Sequence, residues 1–165
     1  MHVGSEGETG SMRVRLKFEL DCSADVAWRA IRSPAGLKQV SAPFMEFHSE
    51  QGGFPEMWPA GEHLVHVKLF GLASMGRQVI AISFPEPRGN TRLVRDTGYG
   101  ISGVFTTVDN WRHTMAVTPL SSDRTLYRDE LRVDAGALTP LMWPAYWAFW
   151  QWRAIRMRML ARSWK

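Results

Sequence analysis

Three ionisable side chains sit where the surrounding pattern predicts an apolar interior: His113, Asp129 and Arg153. Around His113, the residues Trp111, Met115 and Val117 share one face at period two, and Arg112 and Thr114 take the other. Asp129 lies in the same way among Tyr127, Leu131 and Val133, opposed by Arg128, Glu130 and Arg132. When two such segments pair, their inner faces coincide only if opposed residue numbers sum to an even value, because a one-residue slip turns every side chain over. A turn centred on Ser121 sets His113 directly opposite Asp129, and a turn centred on Ser122 makes them diagonal neighbours. In either register their Cβ atoms fall within about 4.5–8 Å. An imidazole and a carboxylate at that separation form a hydrogen-bonded pair. The carboxylate orients the ring and raises its basicity, the arrangement that general acid–base chemistry uses. The same pair also serves as a structural tie between a sheet and its covering helix, and the residues leave both readings open. His113 and Asp129 are the catalytic candidates.

Arg153 belongs to a C-terminal helix. At about 100° per residue, Tyr146, Phe149, Met157, Leu160 and Trp164 form a broad apolar arc with Arg153 inside it. Arg156 falls between that arc and a stripe of Trp152, Ile155 and Met159, while Gln151, Arg158 and Arg162 define the wet sector. Trp147, also on the wet sector, is the ring without an assigned partner. A guanidinium on the core side stays charged and needs an acceptor. The candidates are Asp129, Asp96, a backbone carbonyl or an anionic group on a ligand, unless the side chain snorkels to solvent.

The elements that must position these groups read as follows. Val14, Leu16, Phe18 and Leu20 alternate with Arg13, Arg15, Lys17 and Glu19 in a half-buried strand. Ser23 caps a short helix through Val26, Ala27, Ala30 and Ile31, with Asp25 in its first turn. Ser33-Pro34 ends it and opens a second short helix through Leu37 to Val40. Strands are predicted at 44–49, 63–70, 77–84, 91–97, 105–118 and 125–134, too closely spaced for helical crossovers and therefore an antiparallel meander. The long helix starts between Thr139 and Pro144 and runs to about Ser163; from Thr139, Pro144 falls inside it and is expected to kink it. The predicted class is α+β, a helix-grip fold: a seven-stranded curved antiparallel sheet around the long C-terminal helix, with two short helices after the first strand. A curled sheet gripping one helix leaves a hollow between them.

The order of these elements resembles the START/Bet v 1-like (SRPBCC) helix-grip superfamily, and within it the bacterial polyketide cyclase/dehydrase-like proteins. The resemblance is carried by Phe18-Glu-Leu-Asp-Cys-Ser-Ala-Asp-Val-Ala-Trp28 leading into the helix pair, by Trp111-Arg-His113 and Tyr127-Arg-Asp129, and by Gly136-Ala-Leu-Thr-Pro140 before an Arg-bearing helix. It covers about residues 12–164. It implies a pocket for a hydrophobic small molecule such as a lipid or polyketide; some members of the superfamily cyclise or dehydrate their ligand. It does not imply a particular reaction.

Composition bounds the alternatives. A chain of 165 residues, 45% hydrophobic and 22% charged, is expected to be a single globular domain over 12–165, after a tail at 1–11 that could be a cloning remnant. One cysteine, Cys22, excludes an internal disulfide and points to a cytoplasmic setting. The +4 net charge gathers in the last segment, where Arg153, Arg156, Arg158, Arg162 and Lys165 have no acidic neighbour after Trp143. Such a cluster either complements a helix C-terminus or attracts phosphate or anionic lipid. His63 and His66 face opposite sides of a strand and cannot chelate one metal, so no metal and no cofactor is expected. The stretch Gly98-Tyr-Gly100-Ile-Ser-Gly103 matches a dinucleotide fingerprint literally, but a strand-like Val104–Val108 follows it where that motif needs a helix.

The leading expectation is therefore a binding site walled by Trp111, Met115, Tyr127, Tyr146 and Phe149, in which His113, Asp129 and Arg153 orient a hydrophobic ligand. The enzyme alternative has His113 moving protons, Asp129 holding it and Arg153 stabilising an enolate. A third reading uses the Trp/Arg-rich helix to dock on a membrane or a protein. Nucleic acid is not an expected partner, and the oligomeric state is left open.

Overall fold

The computed structural model describes residues 11–164. Apart from Ser11, the expected tail lies outside the described residues. Strand β1 (Met12–Leu20) is followed by helices α1 (Ala24–Ile31) and α2 (Pro34–Ser41). Both helices begin as their sequences dictate: the Ser23 hydroxyl accepts from the Val26 N–H and the Ser33 hydroxyl from the Gly36 N–H, with Pro34 in the first turn of α2. Then come β2 (Met45–Ser49), β3 (Gly61–Leu69), β4 (Ala73–Ser83), β5 (Arg92–Asp96), β6 (Tyr99–Gly100), β7 (Asn110–Pro119) and β8 (Thr125–Asp134), and finally α3 (Thr139–Ala161).

All the pairings are antiparallel, in the order β1-β8-β7-β5-β4-β3-β2, with β6 added beside β4. The sheet thus has one short strand more than the seven expected. The first strand closes against the last, so α1 and α2 connect the two sheet edges. Alternation in β1 and β8 buries Val14, Phe18 and Leu20 with Tyr127, Asp129, Leu131 and Val133 and turns Arg13, Arg15, Lys17 and Arg128 outward. The core lies between this inner face and α3, which contributes Trp150, Ala154, Met157 and Ala161. No helix among the described residues is long and apolar enough to cross a membrane.

Two expectations fail here. Residues 105–109 are not strand: Gly103–Thr107 forms a 3-10 turn, and β7 starts at Asn110. Val104, Thr106, Thr107 and Val108 look like strand formers, but the Thr106 and Thr107 hydroxyls donate to the carbonyls of Gly103 and Val104 and hold the chain in a turn. The glycines of the literal fingerprint have a packing role. A Cβ on Gly98 would stand 1.8 Å from the Val79 carbonyl oxygen, and one on Gly100 would stand 2.2 Å from Phe105. Gly103, at φ +68°, presses on Met75 and Gly76. Their lack of side chains lets the 98–107 segment lie directly on β4.

The second difference concerns the C-terminal helix. It starts at Thr139, holds Pro144 inside, and ends at Ala161, close to the expected end at about Ser163. Its buried face is rotated from the expected arc. Trp150, Ala154 and Ala161 are buried, whereas Phe149 and Leu160 are half-buried at the edge. The two alanines, uninformative by hydrophobicity, are small enough to bring the helix close to the sheet.

Candidate functional site

The site is a row of polar groups across three neighbouring strands. Asp96 of β5 pairs directly with His113 of β7, and β7 pairs with β8 so that Met115 faces Asp129 and His113 faces Leu131. His113 and Asp129 are thus diagonal neighbours, the outcome of a turn centred on Ser122. The imidazole Nε2 lies 2.8 Å from Asp129 Oδ1. The same oxygen accepts from the Trp150 indole N–H of α3 at 3.0 Å, and Asp129 Oδ2 accepts from the Tyr127 hydroxyl at 2.8 Å. Asp129, 3% exposed, therefore ties two strands and the helix together through three donors.

Burial would raise the Asp129 carboxyl, but His113 at its side, the Arg153 charge and the Trp150 N–H outweigh it and hold the group below the ordinary carboxylate range. An ionised Asp129 accepts, so the ring nitrogen facing it carries a proton, and Nδ1 points away from that bond. Burial, and then the negative Asp129, push the Tyr127 phenol well up, so it stays protonated and donates.

Asp96 has a different role. β4 pairs with β5 only at Ile82–Asp96 and Ser83–Arg95, then with β6 at Val79–Tyr99 and Gln78–Gly100. Where these partners part, Asp96 Oδ1 accepts from the Ala81 N–H at 2.9 Å and the Gly98 N–H at 2.8 Å, taking the place of a backbone carbonyl in the ladder. Its Oδ2 accepts from the Trp111 indole N–H at 3.2 Å. Burial pushes this carboxyl up, against the pull of those three donors and of His113.

Between this row and α3 lies a cavity of about 120 Å³. An apolar hollow of roughly 150 Å³ accepts benzene, so a single ring sets the scale. Its wall includes Trp111, His113, Met115, Tyr127, Tyr146, Phe149 and Arg153, seven of the eight residues expected at a site. Asp129, expected to orient a ligand, is not on the wall: it stands behind His113, its oxygens taken by His113, Tyr127 and Trp150. Arg153 is 6% exposed, its guanidinium lies 5.1 Å from the centre of the Trp150 ring, and its Nε has no hydrogen-bond partner among the described residues. Neither Asp96 nor a backbone carbonyl accepts from that nitrogen. Tyr99 and Phe105 of the 98–107 segment, Trp58 of the β2–β3 loop, and Leu37 and Val40 of α2 complete the enclosure.

Sequence reasoning missed Trp150, which stacks edge-on against His113 at 5.2 Å and against Trp111 at 5.8 Å. Its place one turn before Arg153's neighbour Ala154 was the available signal. Three members of the basic cluster have partners within the chain, at its surface. Arg156 donates to the Gln39 carbonyl, Arg162 pairs with Asp21, and Arg158 lies over Phe18. Trp147 remains exposed, tilted on Trp143 at 6.4 Å. Among the described residues, no three His, Cys, Asp or Glu side chains converge to hold a metal.

No protein-family model and no curated protein matches the chain. Solved structures do. A START superfamily protein from Mycobacterium smegmatis is 13% identical, with a TM-score of 0.55 over 92% of this chain and 97% of that one. Norcoclaurine synthase from Thalictrum flavum, in complex with dopamine and hydroxybenzaldehyde, is 13% identical, with a TM-score of 0.61 over 100% and 97%. Hypothetical protein jhp0584 from Helicobacter pylori is 14% identical, with a TM-score of 0.65 over 94% and 90%. At such identities the likeness concerns the path of the chain and not its chemistry. The long helix held against an antiparallel sheet, with two short helices bridging the sheet edges, is the START/Bet v 1-like helix-grip fold.

Proposed function

We propose that the protein binds a small, largely apolar molecule bearing one anionic oxygen group, a carboxylate, phenolate or enolate, between the sheet and α3. The observation that carries this reading is Arg153: a buried guanidinium on the wall of an aromatic cavity, with an Nε that none of the described residues satisfies. A permanent charge in that position gains from an acceptor delivered by a ligand. Trp111, Tyr146 and Phe149 supply flat apolar wall, and Tyr99 at the half-exposed rim marks the side open to solvent.

The test compares acids with their neutral methyl esters. Benzoate, 2-naphthoate and decanoate are titrated into the protein, with quenching of the wall tryptophans as the readout. A charge-assisted hydrogen bond contributes about 1.5–3 kcal/mol, so an acid should bind roughly 10- to 100-fold more tightly than its ester. Arg153→Met should bring that ratio near one while leaving ester binding in place. Equal binding of acid and ester by the unaltered protein rules out the anionic group, and no binding of either removes the site.

One observation favours a second reading. With Nε2–H directed at Asp129, Nδ1 of His113 bonds none of the described residues, and His113 lines the cavity. In a cyclase or dehydratase of the polyketide type, Nδ1 would take a proton from the carbon beside a carbonyl. Arg153 would stabilise the enolate oxygen, and the proton would return to the alkoxide formed when that carbon attacks a second carbonyl. His113→Ala separates the readings: lost turnover with retained binding supports the enzyme, and unchanged turnover excludes it.

A further inference from the structure

The outer side of α3 carries Leu141, Ala145, Ala148, Trp152, Ile155 and Met159, at spacings of 4, 3, 4, 3 and 4 residues. This is the spacing of a helix–helix seam. Leu141 is 78% exposed, Met159 63% and Ile155 49%; both alanines are exposed and Trp152 is half-buried. The stripe continues sideways. Trp152 meets Phe44 edge-on at 5.2 Å, Phe44 meets Phe70 at 5.5 Å, and Leu72 at the tip of the β3–β4 turn is 88% exposed. Large exposed apolar surfaces mark interaction sites.

We propose that α3 packs antiparallel against α3 of a second copy of this chain, about a two-fold axis level with residue 150. The size order along the stripe selects this arrangement. In it Met159 faces Leu141 of the other copy, Ile155 faces its Ala145, and Trp152 faces its Ala148, so the two large residues nearest the axis each meet an alanine. Parallel pairing sets alanine against alanine and tryptophan against tryptophan, leaving holes at one end and crowding at the other. Charge selects the same direction. Residues 135–152 carry no charge, Asp109 and Asp134 stand at the N-terminal end of α3, and at the other end Arg158 stands exposed beside Arg162, which is already paired with Asp21. Antiparallel helices bring acidic end to basic end, whereas parallel ones juxtapose the arginines. The seam is about 27 Å long at 1.5 Å per residue. Phe70 and Leu72, 53% and 88% exposed, add apolar surface beside it.

The test is sedimentation velocity over a concentration series. The unaltered protein should show a concentration-dependent dimer. Ile155→Asp, which buries an unpaired charge in the seam, should weaken self-association at least about a hundredfold without lowering the melting temperature of the monomer. Direction is read separately by oxidation. A mixture of Leu141→Cys and Met159→Cys proteins should cross-link, and Met159→Cys alone should not. A monomer at every concentration overturns the proposal, as does a dimer indifferent to Ile155→Asp or cross-linking of Met159→Cys with itself. Co-flotation of a monomer with phosphatidylcholine–phosphatidylglycerol vesicles, abolished by Ile155→Asp, also overturns it and assigns the stripe to a lipid surface.

Discussion

Asp129→Asn changes a single atom of the hub that joins β7, β8 and α3. Asp129 Oδ1 serves His113 and Trp150 while Oδ2 serves the Tyr127 hydroxyl. An asparagine can place its carbonyl oxygen where Oδ1 stood. Two charge-assisted bonds then become neutral ones, at a loss of about 1 kcal/mol each, and the amide group confronts the Tyr127 hydroxyl. The Arg153 guanidinium also loses a buried negative charge that it interacts with. Together these set the expected loss near 3 kcal/mol, at the lower end of the roughly 3–5 kcal/mol that breaking a buried ion pair costs. For a domain of this size that lowers the melting temperature by about 6–12 °C. Urea unfolding at pH 7, followed by tryptophan fluorescence, measures the shift in midpoint at constant slope. The pH dependence has a definite sign. Because the folded Asp129 carboxyl lies below its unfolded value, its stabilisation is complete above the ordinary carboxylate range near pH 3.9 and is lost as pH falls through the folded value. The gap between wild type and variant should therefore be widest at neutral pH and close in acid. A loss under about 1 kcal/mol at pH 7, or a gap that widens on acidification, refutes the hub.

Asp96 should behave in the opposite sense. Its folded carboxyl is raised, so the folded state holds a proton that the unfolded chain has released, and stability falls as pH climbs from the unfolded value through the folded one. Melting temperatures of Asp96→Asn across pH 3–7 should lack this falling limb; an unchanged profile excludes Asp96 as its source. Gly98→Ala must push the 98–107 segment off β4, because the new methyl would stand 1.8 Å from the Val79 oxygen; a loss of about 1–3 kcal/mol in thermal unfolding is expected, together with weaker binding of 2-naphthoate. An alanine variant as stable as the parent would mean that the segment does not depend on that close approach.

Much of the architecture was legible in neighbouring residues because strand and helix periodicities are local. Val14 to Leu20 and Tyr127 to Val133 alternate, and Ser23 and Ser33 cap α1 and α2 as their positions require. The same period of two put His113 and Asp129 on one inner face. The 3-10 turn at Gly103–Thr107 escaped because threonine and valine favour strands on average, while here two hydroxyls bond their own backbone. Its glycines made sense only once β4 lay beneath them.

By itself the chain determined which side chains face inward and that one long helix must cover the sheet, since alternation and amphipathicity are properties of consecutive residues. Tertiary structure decided everything that depends on who meets whom. Parity allowed two registers for His113 and Asp129, and the backbone bonds of Leu120 and Ser121 to Arg124 in the β7–β8 turn belong to the diagonal one. The rotation of α3 that brings Trp150 onto Asp129 and leaves the Arg153 Nε without an acceptor among the described residues depends on Ala154 and Ala161, whose small size matters only against a neighbour. A hydrogen bond between residues 21 positions apart, such as Trp150 to Asp129, is chosen by packing geometry, and no local pattern encodes that choice.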